Sequence, residues 1–71
     1  MSKKKKTIPL ATLRQSRGIS QRDLATSVGL SPGAVGHYES GNRKPSLENA
    51  LKIANYFNMS VEQISFSSKE R

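Results

Sequence analysis

The sequence predicts an all-α fold, a compact bundle of five short helices. Apolar residues recur at spacings of three and four and never alternate over a strand's length. Helix start signals (Pro9, Ser20, Ser31-Pro32, Ser46, Ser60) precede these stretches, and Gly18, Gly29 and Gly41 stand just past the ends of the first three. The third and most informative observation is the segment between Gln21 and Ser40. It reads as two short helices joined by a tight corner at Gly29.

The elements follow in order. The first helix is expected over Pro9 to Arg17, with proline in the first turn, where its missing N–H would be unpaired anyway. Leu10 and Leu13 share a face, and Gly18 ends the helix. Ser20 then caps a second helix over Gln21 to Val28, with Asp23 completing a variant of the capping box. Its inner face is Leu24, Ala25 and Val28. Ser31 as N-cap and Pro32 at the first position open a third helix, Pro32 to Ser40. There Val35 and Tyr38 face inward, while Gly33, Gly36, His37 and Ser40 share the opposite face. Ser46 caps a fourth helix, Leu47 to Phe57, whose stripe is expected to be Leu47, Ala50, Leu51 and Ala54, flanked by Ile53 and Phe57. Ser60 and Gln63 form a capping box for a short fifth helix, Val61 to Ile64. No strand pattern is visible.

Size and composition bound the rest. Seventy-one residues make one small domain with a thin core. With no cysteine there is neither a disulfide framework nor a thiolate metal site. No apolar run reaches the length of a membrane span and no signal-peptide core is present, so a cytoplasmic protein without a membrane partner is the expectation. The net charge is +7 and the pI about 10.3, values that suit a polyanion-binding domain. Lys3, Lys4, Lys5, Lys6, Arg14, Arg17 and Arg22 all precede the first acid, Asp23, making the amino-terminal third a positive pole. Residues 1–6 read as a flexible basic arm, either DNA-seeking or a remnant of expression; 7–65 as the helical domain; 66–71 as a polar tail.

The corner has a specific chemistry. Ala25 lies where the second and third helices meet, and a larger side chain would push them apart. Gly29 suits a left-handed turn. Leu24, Val28, Leu30 and Val35 fill the wedge. An arrangement of this kind is a helix-turn-helix, which holds its second helix outward. Residues from about Leu10 to Ile64 resemble the Cro/repressor-type (lambda-repressor-like, XRE) helix-turn-helix DNA-binding family. The resemblance is carried by Leu13-Arg14, GISQRDLA from Gly18, VGLS from Val28, YESGNRKPS from Tyr38 and MSVEQI from Met59.

The resemblance implies roles. Arg14 and Glu39 match a largely buried ion pair that ties the first helix to the end of the third. Gln21 matches a phosphate-gripping position, and Asn42, Arg43 and Lys44 match a loop that touches the DNA backbone. Lys3, Lys4, Lys5 and Lys6 would add phosphate contacts. The base-reading positions are Pro32, Gly33, Gly36 and His37, with Ser31 and Ala34 at the margin. Here the chain departs from the family pattern, because proline and glycine offer no side-chain donor for bidentate base reading. A bare helix could sit deep in the groove and rely on thymine methyl groups, DNA shape and His37; alternatively, that face binds a protein. His37 has no partners for metal binding, leaving a base or phosphate contact or an inert surface residue.

The leading expectation is therefore a sequence-specific transcriptional regulator that inserts its third helix into the operator major groove. It would act as a homodimer, at least on double-stranded operator DNA. The alternative is an antirepressor, modulator or antitoxin that binds another regulator or a toxin on the same fold. Tyr56, Met59, Val61, Ile64 and Phe66 are candidates for a dimer surface, although Met59, Val61 and Ile64 also suit the core. No cofactor is expected, and neither a phosphate-binding glycine loop nor a nucleophile–base pair suggests an enzyme.

Overall fold

The computed structural model describes residues 7–66. The chain begins with a short strand, β1 (Ile8–Pro9), followed by α1 (Leu10–Ser16), α2 (Gln21–Val28), α3 (Ala34–Ser40) and α4 (Leu47–Phe57). A single 3-10 turn (Val61–Gln63) then leads into β2 (Ile64–Ser65). The fold is mostly helical, but the expected fold class needs correction at two points. The expected fifth helix is only that one 3-10 turn. The fold is not purely α, because β1 and β2 pair in parallel, Ile8 beside Ile64 and Pro9 beside Ser65. Pro9 consequently does not enter the first helical turn. It stands before it in an extended conformation, φ −60° and ψ 142°. Proline is tolerated there because a two-stranded sheet has only edge strands.

Local signals account for most helix ends. Ser20 Oγ accepts from the Asp23 N–H at 3.0 Å, and Ser46 Oγ accepts from the Asn49 N–H at 3.1 Å. Ser60 N–H donates to Gln63 Oε1 at 3.0 Å, bracing the 3-10 turn. Gly29 takes a left-handed φ of 76° after α2. The Leu30 N–H then reaches back to the Ala25 carbonyl at 2.8 Å, closing the corner.

The third helix begins later than expected. Its N-cap is Gly33, without a side-chain cap bond. Ser31 is instead the first residue of a β-turn whose carbonyl accepts from the Ala34 N–H at 3.1 Å. Gly33, at φ −87° and ψ −9°, has the third-position geometry of a type I turn, in which proline is favoured at the second position.

The core is built from Leu10, Leu13, Leu24, Ala25, Val35, Tyr38, Ile53, Ala54, Phe57 and Ile64. Its α4 component differs from the expected stripe. Ala50, Ile53, Ala54 and Phe57 are buried, whereas Leu47 is 70% exposed and Leu51 45% exposed. Ile64, weighed as a dimer residue, is buried beside β1 and belongs to the core. Met59, Val61 and Phe66 are half-buried and pack against that core. Tyr56 remains exposed, its ring edge-on to Phe57 at 5.1 Å.

Candidate nucleic-acid interface

The α2–α3 corner is rigid because its inner residues leave no room to move. Leu24, Ala25 and Val35 have no exposed surface. Tyr38, also buried, accepts a hydrogen bond at its hydroxyl from Asn49 Nδ2 at 3.2 Å, tying α3 to α4. Burying that hydroxyl without a partner would cost about 1–3 kcal/mol. Among the described residues, no buried side-chain nitrogen or oxygen lacks a partner.

Arg14 and Glu39 meet across the domain. Arg14 Nε donates to Glu39 Oε2 at 2.7 Å and Nη2 donates to Oε1 at 3.1 Å. Arg14 Nη1 also donates to the Ile19 carbonyl at 2.9 Å. The pair is nearly enclosed, with 12% and 8% of the two side chains exposed. Its hydrogen bonds to Glu39 raise the Arg14 pKa; burial opposes this, and the charge of Glu39 adds to the rise. The geometry fixes α1 to the end of α3 with a planar, two-pronged contact that lysine could not reproduce.

The sequence-derived surface residues divide into groups. Ser31, Pro32, Gly33 and His37 are exposed along the start and outer side of α3, while Ala34 and Gly36 are only half-exposed. Ala34 packs partly against the core, which leaves little of it to meet a ligand. Asn42, Arg43 and Lys44 are exposed in the following loop. This loop folds back on α3: Arg43 N–H donates to the His37 carbonyl at 3.3 Å, and Asn42 Nδ2 lies 3.4 Å from His37 Nδ1. His37 and the basic loop are thus one assembly. Lys3, Lys4, Lys5 and Lys6 lie outside the described residues, as do residues 67–71 of the expected tail.

Gln21 stands at the start of α2, but its side chain is not free. Its Nε2 donates to Glu39 Oε1 at 2.9 Å, and its Oε1 lies 3.2 Å from the point a β-carbon on Gly36 would occupy. Sequence reasoning treated Gln21, Gly36 and Glu39 separately. The one available signal was the missing side chain at Gly36, directly on the face turned toward α2.

This geometry agrees with a family comparison: the model of the helix-turn-helix family matches residues 10–64. The chain belongs to the helix-turn-helix family. Proteins similar to this chain include the cryptic phage CTXphi transcriptional repressor RstR of Vibrio cholerae serotype O1, 33% identical over 55 residues. That alignment covers 78% of this chain but 49% of the repressor, so the chain spans about half that relative's length. An uncharacterized HTH-type transcriptional regulator of Methanocaldococcus jannaschii is 37% identical over 51 residues, covering 72% of this chain and 77% of the relative. Among solved structures, the restriction-modification controller protein C.AhdI of Aeromonas hydrophila superposes with a TM-score of 0.70 at 39% identity. The superposition covers 76% of this chain and 78% of the controller.

One further surface feature bears on this family member. Lys44, Pro45, Leu47, Ala50, Val61, Ser65 and Phe66 line an open apolar groove of 370 Å³ beside the basic loop. Among the described residues, no group of three or more histidine, cysteine, aspartate or glutamate side chains could hold a metal ion. No described helix is long and apolar enough to cross a membrane.

Proposed function

We propose that the chain is a sequence-specific DNA-binding transcriptional regulator of the Cro or repressor type, acting in the cytoplasm as a homodimer on operator DNA. The observation that carries this reading is the rigid α2–α3 corner, with the exposed Ser31–His37 side of α3 and the Asn42–Lys44 loop joined to it through His37. A helix held outward beside a basic loop is the arrangement by which α3 enters a major groove while the loop meets phosphates. The likeness to a phage repressor and a restriction-modification controller supports the same role.

On this reading His37 is the reading side chain. Pro32 and Gly33 let the start of α3 approach the bases closely, and shape-dependent contacts supply further discrimination. Arg43, Lys44 and the Lys3–Lys6 arm supply phosphate contacts. The bare face of α3 and the exposed apolar groove favour the second reading, in which the fold binds another regulator or a toxin.

The test is titration of the chain into operator-selected and random duplexes at several salt concentrations. A regulator of this kind shows a steep dependence of log affinity on log salt and prefers the selected duplex. Equal, weak binding to every duplex would refute sequence-specific reading and promote the protein partner.

A further inference from the structure

Gln21, Glu39 and Gly36 form one device. Glu39 Oε1 receives both Arg14 Nη2 at 3.1 Å and Gln21 Nε2 at 2.9 Å. The Gln21 oxygen lies over Gly36, 3.2 Å from the point where a β-carbon would stand, and the carboxamide carbon is 3.7 Å from the same point. The amide of an α2 side chain thus occupies the side-chain space that α3 leaves empty.

A carboxamide has a donating end and an accepting end, whereas a phosphate oxygen only accepts. Before binding, an unrestrained glutamine would present its oxygen at the surface as readily as its nitrogen. Glu39 also only accepts, so it selects the orientation with Nε2 toward itself and Oε1 over Gly36. One Nε2 hydrogen is used by Glu39 and the second is left in a fixed direction. Arg14 neutralises Glu39, so the carboxylate that orients the amide does not repel the phosphate. A donor fixed before binding loses less freedom on contact than one that must first be ordered.

We infer that Glu39 is a positioning residue for Gln21: it orients the amide that donates to the DNA backbone at the start of α2, and Gly36 leaves the room this requires. The inference rests on the DNA-binding reading proposed above. It gives Glu39 a part in binding beyond its ion pair with Arg14.

A double-mutant cycle on the 71-residue chain tests it. Affinity for a mixed-sequence duplex is measured by fluorescence anisotropy for the parent, Gln21→Ala, Glu39→Gln and the double variant, at a temperature where circular dichroism shows each folded. Gln21→Ala should weaken binding about tenfold in the parent, the size of a hydrogen bond to a charged group. Its salt slope should not change, because a neutral amide displaces no counterion. In the Glu39→Gln background the same replacement should cost less than about twofold, because an unoriented amide contributes little. A purely structural Glu39 predicts equal factors in both backgrounds, and that result overturns the inference while leaving DNA binding intact. Absence of binding by the parent overturns both.

Gly36→Ala provides a second route that leaves the Arg14–Glu39 pair untouched, should Glu39→Gln fail to fold. Alanine favours the helix but displaces the Gln21 oxygen by a few tenths of an ångström. Melting temperature should rise while affinity falls about threefold, a part of the hydrogen bond's worth. Undiminished affinity in Gly36→Ala overturns the inference.

Discussion

Replacing Ala25 with leucine tests the corner that holds α3 against α2. Ala25 has no exposed surface, and its carbonyl accepts the Leu30 N–H that closes the turn. Leucine adds three carbons. If the space were empty, those carbons would stabilise the fold by about 2.4 kcal/mol at roughly 0.8 kcal/mol each. The neighbours Leu24 and Val35 are themselves fully buried, so the added carbons must instead displace them or part the helices. Overpacking of this kind costs about 1–3 kcal/mol. A chain of this length has a total stability of about 4–10 kcal/mol, so the loss is a large fraction of it. At about 4–8 °C per kcal/mol, the melting temperature should fall by about 4–24 °C. Thermal melts by far-ultraviolet circular dichroism, checked by urea titration, measure this directly. Thr26→Leu, on the exposed side of the same helix, serves as control and should stay within about 0.5 kcal/mol of the parent. Unchanged or increased stability for Ala25→Leu would show that α2 and α3 are not in close contact at this residue.

Further expectations concern single positions. Gly29→Ala should lose about 1–2 kcal/mol through its left-handed backbone alone, because no heavy atom lies within 4 Å of the added carbon; an unchanged urea midpoint would contradict the φ of 76°. Tyr38→Phe removes the hydroxyl that Asn49 reaches at 3.2 Å and should cost about 0.5–1.5 kcal/mol in the same titration. Lys44→Ala should leave the melt unchanged and reduce the salt slope of DNA binding by about one unit. Deleting Met1 to Lys6 should flatten that slope further, and an unaltered slope would remove the arm from the interface.

How much of this was legible in the sequence depended on the range of the interaction. Helix ends set by a neighbouring serine or glycine were readable: α2 begins and ends where Ser20 and Gly29 place it, and α4 begins where Ser46 does. The start of α3 was less so, because Ser-Pro serves equally as a helix opening and as the first half of a β-turn. Gly33, a poor helix former, follows and favours the turn. The α4 face was ambiguous for another reason. Leu47, Ala50, Leu51 and Ala54 obey the same helical spacing as Ala50, Ile53, Ala54 and Phe57. Only the packing of α4 on the core chooses the second set, burying Ile53 and Phe57 and leaving Leu47 and Leu51 outside.

The candidate site divides the same way. The family motif located Arg14 and Glu39 as an ion pair, and Gln21, His37 and the Asn42–Lys44 loop as separate positions. Their connections arise between distant parts of the chain. Glu39 joins Arg14 to Gln21, and the strand around Ile8 pairs with that around Ile64. Two-residue strands leave no alternating pattern to recognise.

By itself, the sequence determined the corner: Leu24, Ala25, Gly29 and Val35 specify two short helices at a fixed junction, because caps, backbone freedom and side-chain volume act within a few residues. The tertiary structure alone decided which face of α4 is core, that Ile8–Pro9 and Ile64–Ser65 meet in a small sheet, and that the carboxamide of Gln21 fills the space above Gly36. Those outcomes depend on which surfaces meet once the helices pack.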